Sequence, residues 1–165
     1  MKKLTLIAAL LLCLALSLSA CSSYRSDVAV SDLSSAVLGA VSTQGGFTAT
    51  DADYVSLEFT APDVITANVQ EWMICATTSS QTVDEFGIFR VKDGGDVNAV
   101  KAEVENYVQA LQVKLEVFLE MYDPAEKTKL ENAQVFVYGN YVVFTMLTDA
   151  DTTAATGAVK TALEK

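Results

Sequence analysis

Gln134-Val135-Phe136-Val137-Tyr138-Gly139-Asn140-Tyr141-Val142-Val143-Phe144-Thr145-Met146-Leu147-Thr148 is the stretch that decides the fold. Two runs rich in β-branched and aromatic residues flank Gly139-Asn140, and glycine at the first central position suits a type II′ turn, so the stretch predicts a β-hairpin. Its second run is apolar on both faces, with Val142, Phe144 and Met146 on one and Tyr141, Val143 and Leu147 on the other. A sheet with one wet face alternates more cleanly. Either helices cover both sides, or one face is offered to a partner; the rarity of large exposed apolar patches favours the helices.

Moving toward the N-terminus, Asp123-Pro124-Ala125-Glu126 places Asp at an N-cap, Pro at the first helical position and Glu just behind, which predicts a short helix to about Asn132. Before it lies the longest helical pattern. Val97, Val100, Val104, Tyr107 with Val108, Leu111, Leu115, Phe118 with Leu119, and Tyr122 recur in steps of three and four, while Glu103, Glu105, Gln109, Lys114, Glu116 and Glu120 fall off that stripe. Asp93-Gly94-Gly95-Asp96 breaks the chain ahead of this helix. Val69 to Ala76 and Glu85 to Lys92 read as two further strands around the polar turn Thr77 to Gln81, a second hairpin.

The flanks add short helices. Ser31 is placed as the N-cap of an amphipathic helix carrying Leu33, Val37, Leu38 and Val41 and closed by Gln44-Gly45-Gly46. Thr50-Asp51-Ala52-Asp53 has capping-box spacing before Tyr54, Leu57 and Glu58, and Pro62 implies that this helix has ended by Ala61. Thr148 to Asp151 caps a last helix with a stripe of Ala154, Ala158, Val159, Ala162 and Leu163. Two hairpins separated by a helix specify an α+β fold, with an antiparallel sheet of about four strands packed with one long helix and several short ones.

At the other end, Met1-Lys2-Lys3 precedes an uncharged apolar run from Leu4 to Leu18, the order of a secretory signal and too short for a typical spanning helix. The run ends in Leu18-Ser19-Ala20-Cys21, which resembles a bacterial lipobox. That resemblance implies cleavage between Ala20 and Cys21 and a diacylglyceryl group on the Cys21 thiol, so the protein's first partner is the membrane lipid. The organisation expected is a signal peptide at 1–20, a lipidated N-terminus and tether at 21–30, and one domain at 31–165. Loss of Lys2 and Lys3 leaves nine basic against 21 acidic residues, a formal charge of −12. Such a surface repels nucleic acid and anionic headgroups, and attachment then rests on the acyl chains. Cys13 is discarded and Cys21 acylated, so Cys75 is the one thiol left; within an apolar run it reads as a small buried hydrophobe.

The search for chemistry finds little. The chain has no His, so the usual neutral-pH base, the Ser-His-Asp and Cys-His pairs and His-ligated metals are absent, and neither a cofactor nor a metal is expected. The acidic pairs Asp51/Asp53, Asp93/Asp96 and Asp149/Asp151 invite a calcium reading, but each lies where a helix begins, and capping outweighs coordination there. Glu58, Glu71, Asp84 and Glu85 are the candidates for a catalytic carboxyl pair, against the simpler reading of solvated strand ends. Trp72, Tyr107, Tyr122, Tyr138 and Tyr141 either line a groove or pack in the core with their polar ends at its rim.

The lipobox, the Glu85 to Asp93 strand, the long helix ending in Tyr122-Asp123-Pro124-Ala125-Glu126, and the Gly139 to Phe144 hairpin with Asp149 after it resemble, in that order, a family of small lipoproteins of Gram-positive bacteria catalogued as a domain of unknown function. The resemblance runs from about Thr50 to the C-terminus. It departs at the second half of the long helix, where a basic residue is expected and Lys114 is the main one present. It implies an address and an architecture, and it brings no catalytic residues. Two functions follow: a lipid-anchored, extracytoplasmic, non-catalytic module that binds an envelope protein, a peptide or a small ligand through the sheet or the groove beside the long helix, or a surface hydrolase working with paired carboxylates.

Overall fold

The computed structural model describes residues 24–42, 46–79 and 82–165. The signal segment 1–20, the Ala20/Cys21 cleavage and lipidation site and the Gln44-Gly45 part of the first loop lie outside the described residues. Along the chain come α1 (Val30–Ala40), β1 (Phe47–Ala49), α2 (Tyr54–Glu58), α3 (Pro62–Asn68), β2 (Val69–Thr77), β3 (Glu85–Val91), α4 (Val97–Tyr122), α5 (Pro124–Glu131), β4 (Gln134–Tyr138), β5 (Tyr141–Met146) and α6 (Asp149–Leu163). The strands form one open antiparallel sheet in the order β1-β2-β3-β5-β4, so the fold is α+β.

Both predicted hairpins form, and β3 pairing with β5 joins them into one sheet. Gly139 sits at φ +61 while Asn140 stays out of the left-handed region, which is the type II′ pattern and not type I′. Helices cover both sheet faces. Phe89, Val91, Val142, Phe144 and Met146 pack beneath Val100, Val104, Tyr107, Val108 and Leu111 of α4. On the other side Phe86, Ile88, Tyr141, Val143 and Leu147 pack against α1 through Val30, Leu33 and Val37 and against α6 through Ala155, Val159 and Leu163. A β-carbon on Gly87 would stand 2.3 Å from Phe144 Cε1, so its absence lets that ring lie across β3 and meet Tyr107 edge-on at 5.6 Å.

Several local expectations are corrected. The sheet has five strands rather than four, because β1, three residues long, adds to β2 with Phe47 opposite Thr77; three residues are too few to show a period. Helix α2 stops at Glu58, ahead of Ala61 as expected, but Pro62 also opens a helix that was not expected, α3, at its first position. Asp53 holds the N-cap position of α2 without a side-chain cap bond. Helix α1 begins at Val30 behind Ala29, one residue before Ser31, and Val41 is its C-cap. In α6 the buried face is Thr152, Ala155, Val159 and Leu163 with Asp151; Ala154, Ala158 and Ala162 lie at its border. Glu103, which falls off the apolar stripe, is nonetheless buried and accepts the Ala61 N–H at 2.6 Å, fastening the loop before α3 to α4.

The expected tether is docked from Tyr24 onward. Tyr24 bridges to Glu164, the Arg25 N–H donates to the Leu163 carbonyl at 2.7 Å, and the Val28 carbonyl accepts from Tyr141 Oη at 2.7 Å. The chain therefore enters the domain beside the β4–β5 turn, where the Tyr24 ring stands 5.5 Å from Tyr138.

Candidate functional site

Helix α4 spans 26 residues, roughly 39 Å, and outruns strands of five to nine residues. Its N-terminal half covers the sheet. Its C-terminal half, through Leu111, Leu115, Phe118 and Leu119, stands across from Thr77, Ser79, Thr82 and Val83 of the β2–β3 connection and leaves an open groove of about 720 Å³ between them. Ala76, Glu85 and Met146 form the floor, and they are register partners across the three inner strands, Ala76 opposite Glu85 and Glu85 opposite Met146. The sheet thus delivers one carboxyl to the foot of the apolar wall that α4 presents, with a polar wall opposite.

Asp96 starts α4 by accepting the N–H groups of Asn98 and Ala99 at 2.9 and 3.0 Å, and Asp123 starts α5 by accepting that of Glu126. The turn at Asp123 folds α5 back against α4, and two of its side chains hold the groove's far rim. Lys129 Nζ lies 3.0 Å from Asp84 Oδ1 and 2.7 Å from Glu126 Oε1. Glu126 Oε2 accepts the Val83 N–H at 2.8 Å, and Thr82 Oγ1 donates to Asp84 Oδ2 at 2.7 Å. Burial works to lower the Lys129 ammonium, but its hydrogen bonds to Glu126 and Asp84 outweigh that and raise it above the usual lysine range.

Glu85 stands differently. It is 6% exposed and no salt bridge to it exists among the described residues. Tyr107 Oη donates to Oε1 at 2.6 Å, Tyr54 Oη lies 3.4 Å from Oε2, and the two hydroxyl oxygens are 2.8 Å apart. Burial pushes the Glu85 carboxyl up to about 7, over the opposing effect of the two tyrosine hydrogen bonds and with help from the Glu58 charge. Burial and the Glu85 charge in turn push Tyr54 up to about 12 and raise Tyr107 as well. Two hydroxyl hydrogens serve this cluster when Glu85 is ionised, and a third joins when it is protonated. Near neutral pH the floor carboxyl can therefore either accept from an occupant of the groove or donate to one.

Of the four candidate carboxylates, Asp84 and Glu85 meet at the groove. Glu58 pairs with Lys114 at 3.2 Å and Glu71 with Arg90 at 3.1 Å. Asp84, 2% exposed, is spent on Lys129, so the two groove carboxyls are not an equivalent pair. Trp72, Tyr107, Tyr138 and Tyr141 do not line the groove. Tyr107 is fully buried and stacked on Phe59 at 4.3 Å, with its hydroxyl aimed at Glu85 rather than at solvent. Tyr54 and Glu126 are read from the sequence only as residues of helix starts, and Lys129 carries no signal of its own beyond its spacing of three from Glu126 on one short helix. The acidic pairs divide among several tasks. Asp96 caps α4, Asp151 is buried and accepts from Ser42 N–H and Oγ at 2.7 and 2.9 Å, and Asp149 takes a long hydrogen bond from Asn132. Among the described residues no three His, Cys, Asp or Glu side chains converge as for a metal ion. Cys75 is buried at 3% exposure, and burial pushes its thiol up, away from reactivity.

Residues 63–147 match the model of a family described as a domain of unknown function, DUF4358. The chain belongs to that family. The DUF4358 match is narrower than the resemblance drawn from the sequence, leaving out α1, β1, α2 and α6, yet it contains every residue named as lining the groove, with Glu85 and Tyr107. Tyr54 lies outside it. No curated protein matches the chain, and no solved structure does.

Proposed function

We propose that this DUF4358 chain is a lipid-anchored lipoprotein of a Gram-positive cell envelope, held outside the membrane by acylated Cys21, and that it is a non-catalytic module binding its ligand or partner in the groove beside α4. The observation that carries this reading is the groove itself: an apolar wall facing a buried carboxyl that no cation among the described residues neutralises, on a domain whose two sheet faces are already covered. The described chain enters beside the β4–β5 turn at one end of β5, and the groove floor lies at Met146, the other end, roughly 17–20 Å along the strand. Among the described residues no helix is long and apolar enough to cross a membrane.

Glu85, a carboxyl with a raised pKa in a concave site, is the one observation that favours a hydrolase. The pair that such chemistry requires is incomplete, since Asp84 already neutralises Lys129. Binding is therefore the reading preferred.

Metabolic labelling with a fatty acid should mark the full-length chain and lose the mark in Cys21→Ala; a label that survives the substitution contradicts the anchor. A photo-crosslinking residue at position 115 should capture a recurrent adduct in intact cells, while one at position 137 on β4 should not. Equal capture at both positions, or none at 115, contradicts groove binding.

A further inference from the structure

Among the described residues that line the groove, Asp84, Glu85 and Asp123 are acidic and none is basic. Two of those charges are already answered: Lys129 neutralises Asp84, and Asp123 serves the first turn of α5. Glu85 is left at the floor with only tyrosine hydroxyls as partners, between Ala76 and Met146 and below Leu111, Leu115 and Leu119. An anion entering this trough meets a carboxylate with no compensating cation. A purely apolar guest satisfies the walls and leaves the carboxylate desolvated, which is costly. A guest with an apolar body and an ammonium head satisfies both, because the head supplies the opposite charge that the site lacks.

From this charge and shape complementarity, and resting on the groove-binding reading above, we infer that the groove takes an amphiphilic amine: an aliphatic chain along Leu111, Leu115, Phe118 and Met146 with a primary ammonium ion-paired to Glu85. The carboxyl titrates close to neutrality, so the pairing is proton-coupled. The groups that act on Glu85 are Tyr107 on α4, Tyr54 and Glu58 on α2 and Cys75 on β2; Asp84, its neighbour in the chain, is paired with Lys129, and β5 presents uncharged Met146. Both tyrosines and the thiol have raised pKa values and stay protonated across the neutral range, whereas Glu85 changes charge there.

The probes are octylammonium, octanoate and octanol, added to the folded domain while the methyl resonances of Leu111, Leu115 and Met146 are followed by NMR. Octylammonium should perturb those methyls and bind at least about tenfold more tightly than octanoate at pH 8. Its affinity should fall about tenfold between pH 8 and pH 6, as a group titrating near 7 loses its charge. Glu85→Gln, which keeps the shape and a hydrogen-bonding oxygen for Tyr107, should weaken octylammonium by a similar factor and abolish that pH dependence. Octanoate or octanol binding as tightly as octylammonium, with Glu85→Gln unaffected, overturns the ammonium assignment while leaving groove binding intact. No perturbation by octylammonium at pH 8 overturns it too, and crosslinking from position 115 then judges the groove independently.

Discussion

At Tyr107 one hydroxyl joins the core to the groove. Its ring is fully buried against Phe59 and Phe144, and its oxygen makes the shortest hydrogen bond to Glu85. Tyr107→Phe keeps the ring and removes that donor from a buried carboxyl, which costs about 1–3 kcal/mol at pH 8, where Glu85 is ionised. At pH 5 the carboxyl is neutral and the loss should shrink; denaturant unfolding at the two pH values checks this, and an equal loss at both contradicts the assignment. The sequence marks Tyr107 as part of the helical stripe, but stripe membership says nothing about where a hydroxyl points. Glu85 was legible as a strand-end acid. Its burial was not, since that depends on α4 running past the end of β3.

Elements with a strong local code were legible almost to the residue. The β4–β5 hairpin follows from Gly139, helix α4 from its stripe and Asp96, and α5 from Asp123-Pro124. Elements fixed by tertiary contact were not. Strand β1 exists because β2 offers it an edge, and α3 is seated by Glu103 reaching from α4 to the Ala61 N–H, two links that no local pattern encodes. Helix α4 is the element on which the groove depends, and Asp96 satisfies two of its first N–H groups. Asp96→Ala should lower stability by about 1 kcal/mol through loss of that cap. Calorimetry measures it, and an unchanged melting temperature contradicts the cap's role.

For the molecule as a whole, the raised Glu85 pKa sets a pH dependence of stability. A carboxyl that titrates near 4.5 when unfolded and about 7 when folded binds more protons in the native state between those values. Stability therefore declines as pH rises from about 4.5 to about 7 and levels off above, by on the order of 3 kcal/mol from this group alone. Glu85→Gln should flatten that segment of the curve. Lys129 works in the opposite region, its contribution fading only as pH climbs beyond the ordinary lysine range. The same ionisation connects stability to binding: the charge that costs the empty domain stability is the charge that an ammonium neutralises. Titrating the Glu85 carboxyl by carbon-13 NMR, with and without octylammonium, tests this most directly. A midpoint near 7 in the free protein that moves down when the amine is present is the expected result, whereas a midpoint near 4.5 that the amine leaves in place would contradict a buried, amine-binding Glu85.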